Sequence, residues 1–311
     1  MDARLQYFET QDNIKLYSEF WIPDHPKANI IFLHGLGDHI GRYGEIVKHF
    51  APKGYGVCMY DQRGHGRSGG RRAHCKYFAD FLRDLSQFVE RIQGMYPNTP
   101  VFLMGHSFGG LVAINFVAKY SKGLRGLIAL SPSLQPIIKL PGWKKKIGIW
   151  ASRYIPILKI NANVEPKYLS RMENVVENLI QDPLRNWHVT ARLGAELLKN
   201  IEQIPKLAFQ VKVPTFILQA GDDRVCSADA VRKFFHSLLI QNKDFKVYAG
   251  AYHELLHEYD RDNILKEIET WIDTQLQSIK RIARATKEDQ DDTRQTIDLC
   301  HHNDYHIRND I

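Results

Sequence analysis

Apolar and polar positions alternate along the chain with two different spacings, one typical of strands and one typical of helices. Residues 4–9 and 15–21 alternate residue by residue and predict an opening β-hairpin at the edge of a sheet. Short apolar runs predict six further strands, at residues 29–33, 56–60, 101–104, 126–130, 215–219 and 245–248. Stretches with helical spacing, such as residues 43–50 and 78–95, lie between them. The pattern predicts an α/β fold with a mostly parallel eight-stranded sheet flanked by helices.

The regular alternation stops between residues 131 and 212, where helix-like pieces rich in large apolar residues appear instead. We expect a helical cap at residues 135–192, inserted after the sixth strand, over the carboxyl edge of the sheet where such folds bind ligands. Residues 1–134 and 193–284 would form the core. Within the cap, Asp182 before Pro183 indicates a helix start. The polar, charged composition of residues 285–311 predicts a poorly ordered tail, in which we expect His301, His302 and His306 to be solvated.

A G-x-S-x-G pattern joins a predicted strand to a predicted helix at residues 105–109. This context is the one in which the pattern holds a nucleophilic serine in a sharp, exposed turn. Glycines could equally make a plain strand-to-helix turn, but the motifs described below favour chemistry. We therefore predict Ser107 as the nucleophile, and the backbone amide of Phe108, at the positive end of the helix, as one donor to an oxyanion.

A second donor is predicted from the loop after the strand at residues 29–33. This loop reads His34-Gly35-Leu36-Gly37, and in hydrolases with a G-x-S-x-G turn the corresponding loop supplies the other oxyanion amide. We predict that amide to be the one of Leu36. His34 is expected to be structural, hydrogen-bonded beneath the loop.

An acid and a base follow the serine in the order that these hydrolases use, which is Ser, then Asp or Glu, then His. Asp222 and Asp223 follow the strand at residues 215–219, and spacing alone leaves both open as the residue that orients the base. His253 follows the last strand and a glycine turn and is the predicted general base. The acid would fix the imidazole tautomer without taking the proton itself.

The same histidine begins a competing motif. His253-Glu254-Leu255-Leu256-His257 matches H-E-x-x-H, which on a helix binds zinc with the glutamate as base. A zinc metallohydrolase is therefore the alternative from a different class, with Glu267 or Glu269 as a third ligand. Against it, His253 follows a strand and a turn, and zinc would leave the serine motif and the aspartate unexplained. We expect His257 to be structural.

Several blocks in order resemble the monoacylglycerol lipase and lysophospholipase group of α/β-hydrolases, which are similar to serine aminopeptidases of the S33 type. The blocks cover residues 34–43, 60–70, 105–110, 221–224 and 250–253. The resemblance implies the α/β-hydrolase fold, a triad of Ser107, Asp223 and His253, and oxyanion amides from Leu36 and Phe108. It thereby favours Asp223 over Asp222.

The resemblance also implies an activity. A monoacylglycerol would be hydrolysed to fatty acid and glycerol through an acyl-enzyme intermediate, without metal or cofactor. A lysophospholipase, a carboxylesterase and a thioesterase remain open on the same fold, because the cap and pocket decide between them. The block Asp61-x-Arg63-Gly64-x-Gly66 is expected to form a hydrogen-bonded loop that supports the oxyanion strand.

Composition and charge change this picture little. The 311 residues are 44% apolar, enough for one substantial core, and the net charge of +7 comes without a nucleic-acid motif, so we expect no nucleic-acid partner. Cys58, Cys75, Cys226 and Cys300 lack paired spacing and predict free thiols in a reducing compartment. A polar beginning and the absence of an 18-residue apolar run lead us to expect a cytoplasmic protein.

One basic and aromatic segment lies in the predicted cap, between Pro141 and Pro156, which limit any helix there to a short one. Its large and basic side chains are Trp143, Lys144, Lys145, Lys146 and Trp150. Such a surface suits peripheral contact with anionic lipid, since lysines attract headgroups while tryptophan enters the interface. Packing of the apolar residues onto the core, with solvated lysines, is an equally weighted alternative.

Overall fold

The computed structural model describes residues 4–137, 141–162 and 164–278. The chain divides into two compact units, residues 1–269 and 270–311. Helical residues 261–269 end the first unit, and the described residues of the second, 270–278, are also helical. The predictions for the polar tail, for Cys300 and for the tail histidines lie outside the described residues.

Ten strands are present in the described residues. They are β1 (Arg4–Glu9), β2 (Lys15–Trp21), β3 (Asn29–Leu33), β4 (Gly56–Tyr60), β5 (Val101–His106), β6 (Leu124–Leu130), β7 (Lys159–Asn161), β8 (His188–Thr190), β9 (Thr215–Ala220) and β10 (Lys243–Tyr248). Eight of them form one sheet in the order β1-β2-β4-β3-β5-β6-β9-β10. Along this order, every neighbouring pair from β4 to β10 is parallel, whereas β2 pairs antiparallel with both β1 and β4. The predicted α/β architecture is confirmed.

Helices cover both faces of this sheet, which is why β3, β4 and β5 are buried along their whole length. The α-helices of the first unit are α1 (Gly44–Phe50), α2 (Ala79–Met95), α3 (Phe108–Lys119), α4 (Gly142–Tyr154), α5 (Glu173–Gln181), α6 (Ala191–Ile201), α7 (Ile204–Ala208) and α8 (Ala228–Ser237), before residues 261–269. Short 3₁₀ turns occur at Ile40–Arg42, Ala51–Lys53, Pro166–Tyr168 and Leu255–His257. The strands β5, β6, β9 and β10 exceed their predicted lengths by one or two residues, because residues outside the apolar runs, such as His106, Ala220 and Lys243, still pair with the neighbouring strand.

The segment between β6 and β9 departs from the prediction in two respects. Besides helices α4, α5, α6 and α7 it contains the antiparallel pair β7 and β8, so the predicted cap is not purely helical. Asp182 does not start a helix: α5 ends at Gln181, and the Asp182 carboxylate accepts the Leu184 amide at 2.8 Å in a turn. An aspartate before proline serves such a turn as well as a helix start, because its side chain accepts from the amide two residues on. The boundaries of core and cap stay predictions.

Candidate active site

Ser107 lies in the sharp turn between β5 and α3. Its backbone has φ 52° and ψ −115°, a strained conformation for a residue other than glycine. The flanking glycines make this turn possible by close packing. A β-carbon on Gly105 would collide with the Gly109 carbonyl, and one on Gly109 would collide with the carbonyl oxygens of Leu33 and His34. The turn therefore directs the Ser107 side chain away from the sheet and brings α3 against the end of β3.

Three side chains from the carboxyl ends of different strands meet at this turn. The His253 Nε2 atom lies 2.8 Å from Ser107 Oγ, and its Nδ1 atom lies 2.8 Å from Asp223 Oδ2. Ser107 follows β5, Asp223 follows β9 and His253 follows β10, so parallel strands place all three at one sheet edge. The structure thus brings together the three residues that the sequence singled out.

Asp223 is held as an acceptor. Its Oδ1 accepts the amides of Val225 and Cys226, each at 2.9 Å, and its Oδ2 also accepts Gln219 Nε2 at 3.1 Å. Burial works to raise the pKa of this carboxyl, but the His253 ring and the two amides outweigh it and keep the pKa below its ordinary value. Asp222, which spacing had left open, instead has a half-exposed side chain 3.4 Å from Arg224.

The loop after β3, residues 34–39 and called the β3 loop below, lies beside the serine. A β-carbon on Gly35 would be 3.6 Å from the Ser107 β-carbon, so the backbone of this loop adjoins Ser107 directly. Phe108 is the first residue of α3, and amides in the first turn of a helix have no partner within the helix. Within the described residues, no acceptor is recorded for the Leu36 amide. Both amides are thus available to a ligand.

Buried histidines lie beneath and beside this loop. The Gln62 amide donates to His34 Nε2 at 2.9 Å, and His34 Nδ1 donates to the Gly35 carbonyl at 2.8 Å. Burial lowers the pKa of His34 to about 3, and the same cause, aided by His253, lowers that of His106 to about 3. His34 is a structural support of the loop, in the way that the sequence suggested.

The block from Asp61 to Gly66 contacts the β3 loop, where Gln62 Nε2 donates to the His34 carbonyl at 2.8 Å, and the 3₁₀ turn that follows the loop. Asp61 Oδ1 accepts the Ile40 amide at 2.7 Å and its Oδ2 accepts the Arg67 amide at 2.7 Å. Arg63 forms two bonds of 2.6 Å with the buried Asp84. These contacts agree with the structural role that we expected of the block.

The H-E-x-x-H pattern does not form the helical arrangement that a zinc site of this type requires. His253 precedes the 3₁₀ turn Leu255–His257 and has both ring nitrogens engaged within the serine site. Glu254 accepts hydrogen bonds from both terminal nitrogens of Arg42, and His257 Nε2 lies 3.1 Å from the Arg42 carbonyl oxygen. Among the described residues, no group of three or more His, Cys, Asp or Glu side chains is arranged to hold a metal ion.

Glu254 of the H-E-x-x-H pattern belongs to a buried ion cluster that the sequence did not predict. Its members are Asp38, Arg42, Arg185 and Glu254, all with side chains at most 10% exposed. Arg42 bonds both carboxylates, at 3.0 Å to Asp38 and 2.6 Å to Glu254. Tyr43 donates to Asp38 at 2.7 Å. The only sign of the ion cluster in the local sequence is Glu254 next to the predicted base His253. The arginines that pair with Glu254 lie far away along the chain.

The basic and aromatic segment of the cap forms an exposed surface on α4. Trp143 is 61% exposed and Trp150 is 55% exposed, so neither packs onto the core. Ile147, Ile149 and Tyr154 are exposed on the same helix. Lys144 lies 5.4 Å above the Trp143 ring, and Lys145 pairs with Glu202. No helix in the described part of the chain is long and apolar enough to cross a membrane.

Comparison with known proteins finds relatives across most of the chain. A family model described as serine aminopeptidase, S33, matches residues 24–260. Monoglyceride lipase of Rattus norvegicus is 32% identical over 86% of this chain and 90% of its own length. Phospholipase YtpA of Bacillus subtilis is 32% identical over 81% of this chain and 98% of its own length. An uncharacterized abhydrolase domain-containing protein of Dictyostelium discoideum is 29% identical, and the chain spans 30% of that longer protein.

A solved structure shares the fold. The crystal structure of the monoacylglycerol lipase of Paleococcus ferrophilus superposes with a TM-score of 0.75 at 27% sequence identity. The match covers 88% of this chain and all of the other. The α/β-hydrolase fold implied by the motifs is confirmed.

Proposed function

We propose, from the premise that the chain belongs to the serine aminopeptidase S33 family of α/β-hydrolases, that it is a serine ester hydrolase acting on single-chain acyl lipids. The observation that carries the proposal is the hydrogen-bonded series from Ser107 through His253 to Asp223, with 2.8 Å at each step. A serine activated by an oriented histidine is the arrangement that nucleophilic acyl transfer requires.

In the first half-reaction Ser107 Oγ attacks the ester carbonyl carbon while His253 Nε2 takes the hydroxyl proton. Asp223 holds the ring so that Nε2 faces the serine, and it stabilises the imidazolium that forms. The tetrahedral intermediate then expels the alcohol, which leaves with the proton from His253. In the second half-reaction water, deprotonated by His253, attacks the acyl-enzyme carbonyl carbon. The bond to Ser107 Oγ then breaks, the fatty acid leaves, and His253 returns the proton to Ser107.

The charge that develops on the carbonyl oxygen needs fixed donors. We assign this task to the amide of Phe108, which directly follows Ser107 at the start of α3, and to that of Leu36 in the β3 loop beside Ser107. Losing one such donor typically costs a factor of about 100 to 1000 in kcat. Our mechanism needs no metal and no cofactor.

Monoacylglycerol is the substrate that we propose, with fatty acid and glycerol as products. The support is the similarity to the rat monoglyceride lipase and to the archaeal monoacylglycerol lipase structure. A lysophospholipid is the second candidate, because the Bacillus subtilis relative, with the same identity, is named a phospholipase. Carboxylesterase and thioesterase activities are further outcomes of the test below.

We propose that residues 135–192 act as a cap on a core of residues 1–134 and 193–284. The cap would contact lipid surfaces peripherally through Trp143, Lys144, Lys145, Lys146 and Trp150. Exposed tryptophans beside lysines support this, since the aromatic rings enter the interface and the cations attract anionic headgroups. Buried free thiols at Cys58, Cys75 and Cys226 support a cytoplasmic location, which recovery of the chain outside the cytosolic fraction would contradict.

The decisive experiment measures fatty-acid release from monooleoylglycerol, lysophosphatidylcholine and a short-chain ester. The wild type is compared with Ser107→Ala and with Ser237→Ala, a surface serine at the end of α8. We expect release to be fastest from monooleoylglycerol, lost in Ser107→Ala and retained in Ser237→Ala. Faster release from another substrate would keep the mechanism and replace the substrate. Activity that survives Ser107→Ala would overturn the mechanism.

A further inference from the structure

A cap segment that follows α5, residues 182–187 and called the cap return below, is fastened to the β3 loop. The Asn186 amide donates to the Gly37 carbonyl at 2.8 Å. Gly37 has φ 69°, and a β-carbon there would collide with the Asn186 carbonyl, so the two backbones are in contact. Asp182 Oδ2 lies 2.7 Å from His39 Nε2. The cap return therefore contacts the β3 loop at two points, through Asp182 near its start and Asn186 near its end. The β3 loop carries the Leu36 amide.

Arg185 extends this contact to a second loop. Its Nη1 atom lies 3.4 Å from Asp38 Oδ1 and 3.9 Å from Glu254 Oε1, with the side chain 7% exposed. Asp38 follows Leu36 by two residues in the β3 loop, and Glu254 directly follows His253. One guanidinium from the cap thus reaches the neighbours of both an oxyanion amide and the catalytic base.

The charges of the four members of the ion cluster balance, and His257 Nδ1 lies beside them, 3.1 Å from Glu254 Oε2. Asp38 and Glu254 contribute two negative charges, and Arg42 and Arg185 contribute two positive ones. Burial works to raise the pKa of Asp38, but the charges of Arg42 and Arg185 outweigh it and hold the pKa well below its usual range. Without Arg185 the buried group would carry one uncompensated negative charge beside the site, and an unpaired buried charge is strongly unfavourable.

We propose that Arg185 is a positioning residue for the hydrolysis: by pairing with Asp38 and Glu254 it holds the β3 loop and His253 in the arrangement that transition-state stabilisation needs. The proposal rests on the proposed function and extends it to a residue of the cap. Both carboxylates that Arg185 contacts neighbour groups that act in the chemical step, the Leu36 amide and His253. Removing it should therefore lower kcat more than it changes KM for a small substrate that makes few cap contacts.

The test compares Arg185→Met with Arg185→Lys, with the double variant Arg185→Met/Glu254→Gln, and with Lys167→Met. Lys167 is a matched control, because it is a cap cation paired with Glu165 at the surface and does not touch either loop. A soluble ester such as p-nitrophenyl butyrate is the substrate. Active serines are counted by labelling with a fluorophosphonate, so that kcat refers to folded, competent enzyme only.

We expect Arg185→Met to lower kcat by about 10- to 100-fold, less than the loss of about 100- to 1000-fold for removing an oxyanion donor, because the donor stays in place and only its position changes, with KM changed less than about threefold. Arg185→Lys should recover part of the loss, because it keeps the positive charge but not the planar guanidinium group. The double variant restores charge balance with Asp38 and Arg42 alone and should be faster than Arg185→Met. Lys167→Met should match the wild type.

Three outcomes decide the matter. If Arg185→Met lowers the thermal midpoint but keeps kcat per labelled serine, its role is structural and the proposal fails. If KM rises and kcat stays, Arg185 binds substrate and the proposal also fails. If the wild type shows no Ser107-dependent hydrolysis, as judged against Ser107→Ala in the same assay, the proposed function itself is refuted and the positioning role with it.

Discussion

Lowering the pH from 7 to 5 should remove a large part of the stability of this protein, because three histidines are buried without charge. His34, His65 and His106 are at most 3% exposed, and burial lowers their pKa to about 3, 4 and 3. The atoms around His34 show the reason. Its Nε2 accepts the Gln62 amide, and its Nδ1 donates to the Gly35 carbonyl. A second proton on the ring would have to bind to Nε2, where it would face the Gln62 N–H group and have no acceptor.

The magnitude follows from proton linkage. In the unfolded chain each imidazole takes up a proton near pH 6.5, whereas in the folded chain it does so only near pH 3 or 4. Between these values the unfolded state binds more protons, so stability is complete above pH 6.5 and decreases as the pH falls. At pH 5 the loss is about 2 kcal/mol per histidine, or about 6 kcal/mol for three. Burial raises the pKa of Asp61 and Asp84, which offsets part of this loss.

Such a loss compares with a total stability of about 5–15 kcal/mol for a typical domain. Urea unfolding, followed by tryptophan fluorescence at pH 7, 6 and 5, measures it directly. His34→Gln offers an amide that can accept from Gln62 and donate to Gly35 without titrating, and it should reduce the loss by about 2 kcal/mol. His25→Gln, at an exposed position, should leave the loss unchanged. An unfolding free energy that is equal at pH 7 and pH 5 would refute the reasoning.

Two further predictions concern the proposed site and the proposed lipid surface. Asp223→Asn should lower kcat by about 10⁴-fold because an amide favours the wrong imidazole tautomer. Asp222→Asn should stay close to the wild type, and equal losses in the two variants would contradict our choice of acid. Replacing Trp143 and Trp150 by alanine should weaken sedimentation with anionic phosphatidylserine vesicles at least tenfold while hydrolysis of a soluble ester persists. Unchanged sedimentation would show that α4 does not contact lipid.

Much of the site could be predicted because its signals are local. The G-x-S-x-G turn is specified by five consecutive residues, since only glycine fits at Gly105 and Gly109. The placement of Asp223 and His253 followed from the carboxyl ends of two late strands, which parallel pairing brings to the edge where Ser107 lies. Sequence alone had left Asp222 open, because a one-residue difference after a strand has no periodic signal.

Other features could not be predicted because they depend on distant partners. Strands β7 and β8 have three residues each, too few for a periodic pattern, and they form because they pair with one another. Arg42 and Glu254 are 212 residues apart in the chain. Glu254 therefore looked like part of a local metal motif, although its partner is an arginine in another part of the fold.

The free-energy cost of burying the ion cluster indicates that its role is not mainly to stabilise the fold. Four charges removed from water lose hydration that their mutual attraction repays only with good geometry, and apolar residues of similar volume often stabilise such a site as well or better. Stability alone therefore does not explain the cluster. The loops that carry Leu36 and His253 lie outside helices and strands, so side-chain contacts add to the few backbone bonds that hold them, such as Asn186 to Gly37 and Glu254 to Leu169. The Arg42 guanidinium forms directed bonds to Asp38 and Glu254 at once, and Arg185 Nη1 lies 3.4 Å and 3.9 Å from the same two carboxylates, whereas apolar contacts allow sliding. The cluster is thus suited to fixing geometry, which is the role that we assign to Arg185.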